Sequence, residues 1–374
     1  MIIKKWVGKL LSFTNYFYKT TSVFHHPAKK VLQPAYVITF NPKQTDFLTL
    51  CAHSFNYQID YALGFRQKEV YTVPLQQVTF LGHSGALLVK DSLITESVFD
   101  PLRLVKSPAF KTFAWLGLQK KKKGLFTSVM HLPWAAQSNY HWFVDCLPRL
   151  CSLLDQVREP LQIIVPRQMP AFQHETLAFL LKDHRNFTLV PISKHEKWQL
   201  TDFIFPSFVS SHNSGYLPTA ILQQLREKIW GGYGVEAVAE KKKLFISRRK
   251  ASKRRVLNEE ALVQLLKPYG FQVIFAEALT YQQQVQLFYN AEYIVAPHGA
   301  GLTNILFSKK CKVWELHPAD VVKSHYFMLC KALAFDYFYS IGTLSGANLD
   351  FEIDEAEMAA TLPTFLSISA INDR

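Results

Sequence analysis

His141 and Asp145, in the stretch NYHWFVDCLPRL (139–150), stand four residues apart, so a helical segment would put both on one face. An imidazole held by a carboxylate takes up a proton near neutral pH, which is what a hydroxyl requires of a base when it attacks carbon. A structural contact between the two is the competing reading, and Trp142, Leu147 and Leu150 beside them are most simply core.

Three further groups carry chemistry of a different kind. In SRRKASKRRVLNEE (247–260), Arg248, Arg249, Arg254 and Arg255 fall between an expected strand and a helix start. Guanidinium groups at a strand's carboxyl end grip a diphosphate through paired donors, and the helix start adds backbone amides; a solvated basic loop is the alternative. In APHGAGLTNILF (296–307), Gly299 and Gly301 allow the backbone to come close to a ligand, and His298 either donates to a phosphate oxygen or packs in the turn. The pattern is neither GxGxxG nor a Walker loop, which argues against dinucleotide and nucleoside-triphosphatase functions. In VWELHP (313–318), Glu315 closes an expected strand, where a carboxylate can accept from both ribose hydroxyls of a nucleotide.

Taken in order, NYHWFVDCLPRL, LFISRRKASKRRVLNEE, APHGAGLTNILF and VWELHP resemble glycosyltransferase family 61 over roughly residues 137 to 320. The resemblance implies an α/β protein of GT-B architecture, two Rossmann-like domains facing across a cleft, and inverting transfer from a nucleotide-activated sugar, with a uridine diphosphate sugar the expected donor. It implies that Arg248, Arg254 and Arg255 hold the diphosphate, that His298, Gly299, Ala300, Gly301 and Asn304 complete the donor site, and that Glu315 holds the ribose. His141 would be the base and Asp145 its orienting partner, or the reverse. The expected acceptor is a glycan, free or lipid-linked, in bacterial surface polysaccharide or lipopolysaccharide synthesis. Arginines and a helix dipole can neutralise a leaving diphosphate, so no metal or other cofactor is expected, and no AspXaaAsp triplet occurs in the sequence.

The elements that must position these residues show best in the second half. From Leu161 onward, short apolar runs alternate with helical ones, the mark of parallel sheet with crossover helices. LQIIVP (161–166), FTLVPI and DFIFPS read as strands, and AFQHETLAFLLKD (171–183) and about 218–230 as helices. The glycines of 231–234 suggest a hinge. After it come KLFISR, FQVIFAE, EYIVAP and KVWELHP as strands, separated by three helices, the first starting at Asn258 as N-cap with Glu259 and Glu260 in its first turn. The expected domains are 1–232, on the acceptor side, and 240–345, for the nucleotide sugar, with 346–374 a helical tail. The order of strands before about residue 130 is not readable.

Composition sets the outer limits. The chain has 374 residues, 49% hydrophobic and 19% charged, which provides a sizeable core and excludes global disorder. Its net charge of +13 favours anionic partners. The lysine runs 120–123 and 241–243 lack interleaved aromatics, so no nucleic-acid partner is expected; a nucleic-acid-binding protein using its basic loops and a catalytically inactive glycan-binding protein are the alternatives. Five cysteines without CxxC spacing fit a reducing cytoplasm. No apolar run is long enough to span a bilayer, but residues 1–20, with Lys4, Lys5 and Lys9 among apolar residues, would suit docking on the inner membrane face or on the protein's own core.

Overall fold

A computed structural model of the protein describes residues 19–55, 64–116, 119–129, 138–210, 214–344 and 348–367, so all but the last two residues of the expected membrane-facing segment, 1–20, lie outside the described residues. Backbone contacts divide the chain into two units, Met1–Tyr36 with Gln67–His212 and Val37–Arg66 with Asn213–Arg374. The chain therefore changes unit near 36, 66 and 212 and not at the glycines 231–234, from which a boundary was expected. Those glycines end a helix inside the second unit: Thr219–Tyr233 buries Leu222, Leu225, Ile229 and Tyr233, and Gly234 stops it at φ 62°, a left-handed angle that glycine adopts without steric cost.

The first unit is built on a nine-stranded sheet of β1 (Lys19–Thr21), β2 (Lys30–Gln33), β3 (Val70–Leu81), β4 (Leu87–Val89), β5 (Ser92–Ile94), β6 (Gln119–Ser128), β7 (Leu161–Pro166), β8 (Phe187–Ile192) and β9 (Lys197–Pro206). Its order is β1-β5-β4-β3-β9-β6-β7-β8, with β2 also on β3. The stretch β9-β6-β7-β8 is parallel, as is the short β1-β5 pair; β3 runs antiparallel to β9, β4 and β2. The parallel end is the Rossmann-like part that the alternation from Leu161 foretold. The meander before it was hidden because its strands are short and its longest, β3, is buried along much of its length instead of alternating. The sheet's core joins Val73, Val78, Phe80, Phe126, Leu200 and Phe203. Lys120–Lys123 belong to β6 and stay largely solvated.

In the second unit, β10 (Lys242–Ile246), β11 (Phe271–Ile274), β12 (Ala291–Pro297), β13 (Lys312–Pro318), β14 (Asp336–Leu344) and β15 (Phe351–Glu352) are ordered β11-β10-β12-β13-β14-β15. The first five are parallel and β15 is antiparallel to β14. The four expected strands are present; β14, β15 and the helix His325–Leu333 add to them. Strand order reverses direction between β10 and β12, and the crevice at the carboxyl ends of such a pair is where open α/β sheets take ligands.

Residues 346–374 do more than form a tail. The helix Glu355–Leu366, capped by the Asp354 carboxylate, places Met358, Leu362 and Phe365 against Trp314 in the unit's main core. Asn258 does not cap its helix as expected. Its amide donates to the Ile353 carbonyl at 2.8 Å and accepts from the Ile353 N–H at 3.1 Å, which ties it to the C-terminal strand instead. A second cluster of this unit takes Phe47, Leu48 and Cys51 from the helix Pro42–Phe55 and packs them on Val322, Phe327 and Met328.

Candidate active site

In the first unit, His141 and Asp145 are joined, Nδ1 to Oδ2, at 2.6 Å. The segment between them is wider than an α-helix: Trp142–Cys146 forms a π-helical turn between Asn139–His141 and the helix Leu147–Leu154. Pro148 has no N–H, which interrupts the i to i−4 ladder there, and such turns recur at functional sites. Trp142 is buried, as expected, and its indole N–H donates to Thr176 at 3.0 Å, anchoring the turn. Asp145 is 2% exposed, and its second oxygen accepts from the Ser210 hydroxyl; His141 keeps 27% of its side chain exposed. The result is a hydrogen-bonded series, Ser210 to Asp145 to His141, that orients the imidazole and leaves its ring partly in solvent.

Beside this series lies Arg149, fully buried. Its Nε and one terminal nitrogen donate to the Pro206 carbonyl at 3.1 and 2.7 Å, the other terminal nitrogen has no partner among the described residues, and burial pulls its pKa down to about 9. Ser210 and Arg149 were not foreseen as site residues. Ser210 lies 65 positions from its partner with no spacing signal to join them.

In the second unit the four arginines separate into two pairs. Arg249 faces Glu259 and Glu260 at 3.2 and 3.1 Å, and Arg255 meets Asp350 at 2.6 and 3.0 Å. Arg255, expected on the diphosphate, is thus occupied in holding β15's approach. Arg248 and Arg254 have no ion-pairing carboxylate among the described residues, and burial, with Arg254's charge acting on Arg248, holds both below their ordinary pKa. Arg248 Nε is buried without a partner. Arg254 takes φ 57°, a left-handed angle costing a non-glycine residue about 1 kcal/mol or more, fixed by its N–H on the Asn348 carbonyl at 3.0 Å.

The Arg248 guanidinium lies against Gly299: a Cβ there would fall 2.1 Å from its Nη1. Gly301 sits over Ile246 at the end of β10, where a Cβ would meet the Ile246 side chain at 3.2 Å. Arginine and glycine turn therefore meet at the point where strand order reverses. The helix after the turn is 3₁₀ over Ala300–Phe307, and Ala300 is exposed at its start. Asn304 is displaced from its expected role; it is buried, and its amide donates to Gln284 at 2.9 Å.

Glu315 also departs from expectation. It is fully buried, one oxygen on His298 Nδ1 at 2.5 Å and the other accepting from the Tyr337 hydroxyl at 2.7 Å, so both oxygens that would meet a ribose are taken by the protein. Burial pushes its carboxyl up to about 8 and keeps His298 well below its usual value. His317, down to about 3 through burial, bonds Tyr337 at 3.0 Å. Ligand atoms of His298, Glu315 and His317 lie within 4.8 Å of one another, a set whose chemistry suits a metal, although hydrogen bonds already engage them. What Glu315 does in this geometry is fix the His298 ring directly behind Gly299.

No curated protein matches the chain. Residues 140–314, which include the histidine–aspartate pair, the arginines and the glycine turn, match the family model Glycosyltransferase 61.

Proposed function

We propose that the protein is an inverting glycosyltransferase of GT-B type that moves a sugar from a nucleotide diphosphate donor, a uridine diphosphate sugar, to a glycan acceptor. The observation that carries this is the pairing of Arg248 and Arg254, two guanidinium groups left without carboxylates, with the Gly299 turn at the strand-order reversal of a parallel sheet. Half-buried cations with no carboxylate of their own, set against a glycine turn, are costly unless an anion arrives, and a diphosphate supplies one. The first unit would furnish the base. The acceptor oxygen attacks the anomeric carbon, its proton passes to His141 with Asp145 stabilising the imidazolium, and the sugar–oxygen bond breaks with its electron pair going to the diphosphate. Arg248 and Arg254 take up that charge, so in this reading no metal is needed for departure. Surface-polysaccharide assembly is the setting that the family resemblance favours.

Uridine diphosphate should raise the melting temperature in the presence of chelator, by binding the folded state alone. His141→Ala should keep that shift and lose transfer, whereas Arg254→Ala should lose the shift. No stabilisation by any nucleoside diphosphate, or transfer surviving His141→Ala, would overturn the proposal.

A further inference from the structure

A cavity of about 310 Å³ opens in the first unit next to the histidine–aspartate pair. Four aromatic rings, Phe24, Tyr71, Phe99 and Phe208, line much of it. Phe99 is also the ring against which His141 packs edge-on, with centroids 6.4 Å apart, so one wall of the cavity is shared with the proposed base. Aromatic walls with a few polar groups suit the apolar faces of a sugar ring, and the volume is at the lower end of small-ligand sites.

The charges in the cavity are unequal in their state of pairing. Glu69 meets Lys29 at 2.5 Å. Glu96 accepts from the Ser22 hydroxyl, from the Val23 N–H at 3.2 Å and from Thr95 at 2.8 Å. The Ser207 hydroxyl accepts the Tyr71 N–H at 3.0 Å. Lys68 alone among the lining charges is left over: no described residue makes an ion pair or hydrogen bond with its ammonium, which stands 6.0 Å from the Phe208 ring centre. The buried Arg149 guanidinium is 4.2 Å from the same ring. The carboxylate whose charge acts on Lys68 is Asp145, and its oxygens are committed to His141 and Ser210. Although burial lowers Lys68 to about 8, it remains charged at neutral pH. Two cations thus share one ring, and neither has a carboxylate of its own.

We propose that this cavity holds the terminal sugar of the acceptor and that this sugar bears an anion, a carboxylate or a phosphate, that Lys68 engages. The proposal rests on the transferase reading for the word acceptor, but the binding it asserts needs no donor. Isothermal titration of the full-length protein with methyl glucuronide, glucose 6-phosphate and methyl glucoside tests it. At least one acidic probe should bind about tenfold or more tightly than the glucoside, the size of effect a charge-assisted hydrogen bond gives. Whichever acidic probe is preferred identifies the carboxylate or the phosphate as the natural group. Lys68→Met should abolish the preference and Lys68→Arg should keep it, with the uridine diphosphate melting shift unaltered in both. Equal binding of acidic and neutral probes by the wild-type protein overturns the proposal whether or not the variants fold, as does a preference that survives Lys68→Met. Nucleotide binding without acidic preference would remove this cavity alone, and acidic preference without nucleotide binding would remove the transferase reading alone.

Discussion

At the scale of single residues, the second unit's site depends on what Gly299 lacks. Its φ of 172° is extended backbone open to any residue, so the constraint is the space that Arg248 fills and not backbone strain. Gly299→Ala should push the guanidinium aside, weaken uridine diphosphate binding about tenfold and leave the melting temperature nearly unchanged; unchanged affinity in a titration would mean that Arg248 does not touch the nucleotide. Glu315 makes a prediction in pH. Its folded value, about 8, is above the unfolded one of about 4.3, so the stability given by its protonated carboxyl is whole in acid and is lost as pH rises towards 8. His298 and His317 are held neutral by burial, below their unfolded value, and so cost stability as pH falls beneath about 6.5. Thermal midpoints should therefore decline from pH 6.5 to 8 in the wild type, and Glu315→Gln should flatten that limb while keeping the acid one. Parallel curves for the two proteins would refute this account of the cluster.

Among elements, the helix Glu355–Leu366 bears more than its terminal place suggests. Phe365 is fully buried, its ring centre 5.1 Å from Trp314, 5.2 Å from Phe338 and 5.4 Å from Tyr293. Trp314 directly precedes Glu315 on β13, so the core that this helix closes is the one that holds the His298 cluster in register. Phe365→Ala should cost about 3–5 kcal/mol in urea unfolding, the usual range for deleting a buried aromatic ring. A loss under about 1 kcal/mol would show the helix to be an accessory.

For the whole molecule, the decisive fact is that the units are not consecutive in sequence. Residues 213–374 by themselves lack the helix Pro42–Phe55, and so lack Phe47 and Leu48, which fill a core with Val322, Phe327 and Met328. Expressed alone, that fragment should aggregate or bind a hydrophobic dye, and fusing 37–66 to it should restore a cooperative melt. A soluble, cooperatively folding 213–374 would mean that the inserted helix is dispensable. No helix among the described residues is long and apolar enough to cross a membrane.

What the sequence by itself determined was the periodic second half: β10, β11, β12 and β13, the helices between them, the glycine turn and the spacing of His141 and Asp145, because each of these is written within a few neighbouring residues. Burial of a run of apolar side chains or a four-residue helical offset is a local property, and local properties survive in a linear text. The tertiary structure alone decided which arginines are spent on Asp350 and the glutamates, that Glu315 faces His298 and Tyr337 and not a ligand, and that Ser210, Arg149 and Lys68 gather about Asp145. Those outcomes depend on pairings that span 11, 17, 22, 65 and 95 positions, outside any helical or strand period, where a charge may be neutralised by any of many partners and only the fold selects one.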